Sequence, residues 1–173
     1  MKPRSKSLSP TPRAGIAAPK ELKKVVPSEK RLEKGPCVIV ECFERIPCDP
    51  CVNACPHGAI MIIGNINNIP TVDFDKCNGC GLCISSCPGL AIFVISKNYS
   101  KKEGLVMLPY EFLPLPKPND IIEVLSREGK KLCNAKVTRM LLTKKQDRTA
   151  IISIVLPKKL IMEARYIRPL KRK

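Results

Sequence analysis

The chain has 173 residues, with 31 Lys and Arg against 15 Asp and Glu, a formal charge of +16 and ten cysteines. That length holds one or two small domains, and no apolar run approaches the ~20 residues of a membrane-crossing helix. Many cysteines in a short chain often mark a secreted disulfide scaffold, but the basic N-terminus lacks the apolar stretch of a signal peptide, with only a weak patch over 14–19. The cysteines are therefore expected as reduced thiolates in the cytoplasm.

The charge is unevenly spread: +7 over residues 1–35, −2 over 36–97 and +11 over 98–173. Two basic ends invite a nucleic-acid partner, and they equally suit docking to an acidic subunit. Residues 1–35 are rich in Pro, Lys, Ser and Ala with no apolar period. They read as a disordered or partner-wrapped tail. A short helix from Lys20 to Val26 would be limited by Pro27.

Residues 36–97 contain a repeat. Val40-Glu41 precedes Cys48-Asp-Pro-Cys51-Val-Asn-Ala-Cys55-Pro, and Val72-Asp73 precedes Cys80-Gly-Leu-Cys83-Ile-Ser-Ser-Cys87-Pro, at a constant offset of 32 residues. Each half predicts a strand, a ligand loop, a helical turn at the last cysteine, and a second strand. The strands are Cys37–Glu41, Ile60–Ile63, Thr71–Phe74 and Ala91–Ile95. The second half opens on Cys77, so residues 77–88 read CNGCGLCISSCP. This is the C-x₂-C-x₂-C-x₃-C-P run that holds iron–sulfur clusters. Three thiolates reach three corners of a small cubane only from a tight loop, which Gly79 and Gly81 suit. A zinc site would instead pair two well-separated CxxC halves. Two halves this small bury little apolar surface, so the clusters would serve as their core and folding would be coupled to metal.

The first half departs at one position. The gapless repeat sets Arg45 opposite Cys77, and Cys42 lies three residues earlier. Three readings stand open. Cys42 supplies the missing ligand from a lengthened loop; or the first cluster is three-iron, [3Fe–4S]; or it is lost. The gapless alignment speaks against Cys42, which it sets opposite the structural position Phe74. Cys37 and Cys133 sit in strand-like apolar stretches and read as small core hydrophobes. His57 reads as a solvent-facing loop residue, and Arg45 either as a charge near a cluster or as an exposed side chain.

Residues 98–118 form a connector containing one strand, Leu105–Tyr110, and ending in Pro114-Leu-Pro116-Lys-Pro118. Residues 119–169 predict a separate module. Ile121–Leu125, a turn at Arg127–Lys130, Lys131–Leu142 with a phase shift at Met140, a charged turn at Lys144–Arg148, Ala150–Leu156, a helical turn within Pro157–Met162 and Ala164–Ile167 suggest a small all-β barrel, SH3-like or OB-like. The module shows no interleaved aromatics for stacking bases. Residues 170–173 are a basic C-terminal tail. The expected class is thus α+β: a two-cluster βαβ pseudo-repeat followed by a small barrel.

The stretch 36–97 resembles the bacterial two-[4Fe–4S] ferredoxin fold. That resemblance implies a ligand swap between the halves. Cys77, Cys80 and Cys83 would hold one [4Fe–4S] cluster together with Cys55. Cys48 and Cys51, with Cys42, would hold the other together with Cys87. The segments ECFERIPCDPCVNACPHGAI, DKCNGCGLCISSCPGLAIF and LPYEFLPLPKPND also resemble the ferredoxin-type small subunits of dye-linked flavin dehydrogenases for proline or hydroxyproline. This narrower resemblance implies a single-electron relay beside FAD-bearing subunits of a hetero-oligomer, with FAD on the partner and not on this chain.

The chain carries no catalytic apparatus of its own. It has one histidine and no dinucleotide fingerprint, GxSxG elbow or Walker pattern. An electron-transfer subunit is therefore expected. The alternatives are a free ferredoxin-type carrier and a nucleic-acid-binding protein with structural clusters.

Overall fold

The computed structural model describes residues 16–168. Two short helices come first: α1 (Pro19–Val25) and α2 (Glu29–Lys34). Pro19 starts α1, where a missing N–H costs nothing, and Ser28 caps α2 by accepting from the Arg31 amide at 3.2 Å. The expected tail is thus folded over its second half. Leu32 of α2 is 1% exposed and belongs to the core. The first fifteen residues and the tail 170–173 lie outside the described residues. Among the described residues no helix is long and apolar enough to cross a membrane.

The ferredoxin-like part follows: β1 (Cys37–Val40), α3 (Pro50–Asn53), β2 (Ile60–Met61), β3 (Thr71–Val72), α4 (Leu82–Ser86) and β4 (Ile92–Ser96). Its pairing obeys the sequence repeat. Val40 sits opposite Ile92 in one antiparallel pair, and Ile60 sits opposite Val72 in the other. Adding 32 to Val40 gives Val72, and adding 32 to Ile60 gives Ile92, so each pair draws one strand from each half.

The remaining strands are β5 (Glu103–Tyr110), β6 (Ile121–Leu125), β7 (Lys131–Leu141), β8 (Ala150–Pro157) and β9 (Tyr166–Ile167). They do not form a separate barrel. One antiparallel sheet runs β1-β4-β5-β8-β7-β6-β9, and no pairing among the described residues closes it. The expected SH3-like or OB-like barrel is corrected to an open sheet shared with the ferredoxin part. The reason lies in β5, which the sequence placed in a connector. It pairs β4 on one side and β8 along its whole length on the other. β8 is buried from Ala150 to Leu156, an apolar run broken only by Ser153, as in a strand covered on both faces.

The phase shift at Met140 is a bulge. The β7–β8 register slips between Val137 and Arg139, and the extra Thr138 donates its hydroxyl to the Ser153 carbonyl at 3.2 Å. The turn after β6 closes with the Ser126 amide on the Lys130 carbonyl at 2.8 Å.

The sheet has two apolar faces. One carries Leu32, Ile39, Phe93, Val106, Leu108, Val137, Ile152 and Ile154. The other carries Val38, Val40, Ile92, Val94 and Ile151, and packs against Cys51, Cys83 and Ile84. The ligand loops therefore lie on this second face.

A buried ion cluster locks the end of β1 to the C-terminal part. Glu41 accepts from Arg127 Nε at 2.9 Å and Nη2 at 2.5 Å, and from Arg165 Nε at 2.9 Å. Arg165 is 1% exposed. It also donates to the carbonyls of Ile161 and Ala164 and lies 4.8 Å over the Phe93 ring. Burial pushes the Glu41 carboxyl up, but the bonds from Arg127 and the charge of Arg165 outweigh it and hold the group below its ordinary 4.5. Such a group adds stability above its unfolded-state value and loses it as pH falls through the folded one. Glu41→Gln leaves a buried guanidinium uncompensated and is expected to cost about 3–5 kcal/mol. Urea denaturation of the cluster-loaded protein checks this: the loss should be full at neutral pH and shrink as pH falls from 4.5 through the folded Glu41 value.

Candidate metal centres

Each ligand loop is short and built by local hydrogen bonds. In the second loop the Asn78 side chain accepts from the Cys80 amide at 3.1 Å, and its amide group lies 2.9 Å from His57 Nε2. His57 is exposed, as a loop residue should be, and this contact joins the turn after Cys55 to the Cys77 loop. Gly79 and Gly81 have φ of +71° and +81°. A Cβ on Gly79 would stand 2.5 Å from Pro36 Cβ, and one on Gly81 would stand 2.7 Å from Met107 Cε. The loop therefore presses against the chain before β1 on one side and against β5 on the other, which only glycine allows.

Eight cysteines fall into two groups. Cys55, Cys77, Cys80 and Cys83 line one cavity, walled by Val38, Ala59, Ile60 and Val94. Burial raises the Cys83 thiol to about 12, with further push from the charges of Cys80, Cys77 and Cys55. In the other group, burial raises Cys51 to about 11, aided by the charges of Cys87, Cys42 and Cys48. Cys42 is likewise raised by burial and then by Cys87 and Cys48. The structure thus brings Cys42 to Cys48, Cys51 and Cys87, although the gapless repeat had set it opposite Phe74. Arg45 is exposed.

Cys42, Cys51 and Cys83 are the thiols held up in this way, chiefly by burial, and a positively charged group between such thiols would favour their ionised form. A polynuclear cluster takes its ligands at separate corners, which suits two groups of four around apolar walls.

The sulfurs are also supplied with amide donors. Ala59 N–H reaches Cys55 Sγ at 3.3 Å, and Ala91 N–H reaches Cys87 Sγ at 3.4 Å, two contacts related by the repeat. Val38 N–H reaches Cys77 Sγ at 3.4 Å. Cys37, read as structural, opens β1 and is wholly buried, in the core cluster that Cys77 packs against. Cys133 lies in β7, half-buried and raised by burial.

The sequence did not foreshadow Arg31. Its guanidinium donates to the carbonyls of Phe74 at 2.6 Å, Gly35 at 3.2 Å, Pro36 at 3.2 Å and Cys77 at 2.5 Å. A single arginine in an apparently polar arm thus staples α2 to the second ligand loop. Carbonyl acceptors leave no mark in a sequence, so only the position of Arg31 just before Pro36 and Cys37 hinted at it.

Residues 44–91 match the model of the 4Fe-4S dicluster domain family. The match begins two residues after Cys42 and so leaves that cysteine outside the family's pattern. The chain is 41% identical over 59 residues to the ferredoxin-type protein NapF of Haemophilus influenzae, covering 32% of this chain and 34% of that protein. It is 40% identical over 53 residues to a probable iron-sulfur subunit of the Frd operon of Proteus vulgaris, covering 31% and 32%. It is 40% identical over 47 residues to the pyruvate synthase subunit PorD of Methanothermobacter marburgensis, covering 27% and 51%. The matched part thus spans about a third to a half of these curated relatives. No solved structure matches the chain.

If the Gly79 contact sets the second loop, Gly79→Ala must displace it from Pro36. Iron content is expected to fall by roughly half, from the loss of one of two clusters. Anaerobic metal analysis of the purified variant measures this; unchanged iron would mean that the loop has room to shift.

Proposed function

We propose, from the match of residues 44–91 to the 4Fe-4S dicluster domain family, that the chain is an electron-relay subunit of an oxidoreductase complex. Cys42, Cys48, Cys51 and Cys87 would hold its first [4Fe–4S] cluster, and Cys55, Cys77, Cys80 and Cys83 its second. The observation that carries the reading is the sorting of eight cysteines into two fours, each drawing on both halves of the repeat, on one face of one sheet. Bound clusters accept and release single electrons.

The protein's own residues supply the rest. The apolar walls Val38, Ile60 and Val94 keep water from one side of the second group. Cys80 is exposed and Cys83 is buried, so the second group has one corner toward solvent, where a partner can approach. The basic sheet extension suits a fixed acidic partner surface. Two relatives are named as subunits, which supports a complex over a freely diffusing carrier. The partner we favour is a FAD-containing dehydrogenase of the amino- or imino-acid type, on the strength of the sequence resemblance over residues 36–169. Such a partner yields electron pairs, which this subunit would pass on one at a time.

Iron and sulfide counts on anaerobically purified protein test the ligand set. About eight irons are expected in the wild type, and about seven in Cys42→Ala, with a three-iron EPR signal in its oxidised form. A wild-type protein that already shows seven irons and that signal would make Cys42 structural and Arg45 the mark of a lost ligand. Zinc in place of iron would sink the redox reading and favour a structural role with salt-dependent nucleic-acid binding.

A further inference from the structure

The two cysteine groups are related by the 32-residue repeat, but their surroundings are not. Cys77 has donors that the other group lacks. Val38 N–H points at its sulfur; the repeat sets Pro70 at the matching position, and proline has no N–H to give. Cys37, the residue before Val38, is wholly buried in the core cluster that Cys77 packs against and has a thiol to donate; the matching residue is Ile69, which has none. Arg31 puts a guanidinium on the Cys77 carbonyl at 2.5 Å. In the first group Cys42 stands three residues before the position that the repeat sets opposite Cys77.

We propose that Cys37 and Arg31 are positioning residues that make the group built on Cys77 the more easily reduced of the two. The reason is electrostatic. Reduction adds a negative charge that spreads onto the ligand sulfurs, and hydrogen-bond donors and a nearby cation stabilise it. The thiol of Cys37 is a weak donor, but it is wholly buried, where a hydrogen bond is stronger than in water. The guanidinium also holds the loop in place, so the donors stay aligned. The built-in difference gives the relay a direction, toward the Cys77 group with its one exposed cysteine, Cys80. This inference rests on the reading that both groups hold clusters.

The test is an anaerobic redox titration followed by EPR on the cluster-loaded wild type, Cys37→Ala and Cys37→Ser. Two midpoints are expected in the wild type. Cys37→Ala should lower the higher one by about 59 mV or more, the equivalent of a tenfold change for one electron, and leave the lower one in place. Cys37→Ser, whose hydroxyl can donate to the same sulfur, should return the higher midpoint toward the wild-type value. A merely structural role would affect both variants' stability without this pattern. Unmoved midpoints at full iron, or a common shift of both, overturn the proposal, and so does iron loss in Cys37→Ala, which would make Cys37 a ligand.

If Cys37→Ala does not fold, the wild type still answers. With eight cysteines bound, the remaining thiols are Cys37 and Cys133. The infrared S–H band of Cys37, identified by its survival in Cys133→Ala, should be shifted down by hydrogen bonding; an unshifted band overturns the proposal. A wild type with no clusters, or with none that reduce reversibly, would instead defeat the functional reading on which this rests.

Discussion

Eight thiols crowded in two groups against apolar walls repel one another once ionised, and burial, helped by the charges of neighbouring cysteines, lifts Cys51 and Cys83 above the ordinary range. Neither group is stable as a set of free thiolates in an apolar setting. A bound cluster relieves the repulsion, and its binding energy becomes folding energy. The short elements of the ferredoxin-like part make sense only in that light. β2 and β3 have two residues each, and α3 has four. Such pieces cannot bury enough apolar area to hold themselves. The loops are therefore held from outside as well, by Pro36 and Arg31 on one side and by Met107 on the other.

The long sheet is the second support. β1 and β4 belong to the cluster-holding part, yet they continue without interruption into β5, β8 and β7. A change in the C-terminal strands can therefore reach the ligand loops through a rigid, hydrogen-bonded body. The Glu41 cluster closes the same connection at the other end of β1. In this arrangement the basic extension is part of the cluster scaffold rather than an appended module. A partner that grips the extension would also hold the clusters at a fixed distance.

Much of the cluster-holding part was legible because its signals are local. The 32-residue offset was read from the chain, and it relates the pairs Val40–Ile92 and Ile60–Val72. The glycines of the second loop and Pro27 at the end of the first helix acted as expected, and the phase shift at Met140 became a bulge. What escaped depended on distant contacts. Leu32 is one apolar residue among charged ones, so α2 gave no period and passed for a tail. β5 lay between Lys-rich and Pro-rich segments and passed for a connector, although its partners on both sides make it central. The burial of Arg165 was hidden because its carboxylate partner, Glu41, lies 124 residues away. The loop with Cys42 was ambiguous for a related reason: an insertion-like path breaks the repeat, so spacing alone cannot place that cysteine.

If each of the two cysteine groups holds a cluster and the two exchange electrons, the clusters interact magnetically when both are reduced. EPR spectroscopy of the fully reduced wild-type protein reads that interaction without any mutation. A reversible signal broadened by coupling between two reduced clusters is expected, returning to the starting spectrum on reoxidation. A single uncoupled signal, or no reducible iron at all, would contradict the two-cluster relay.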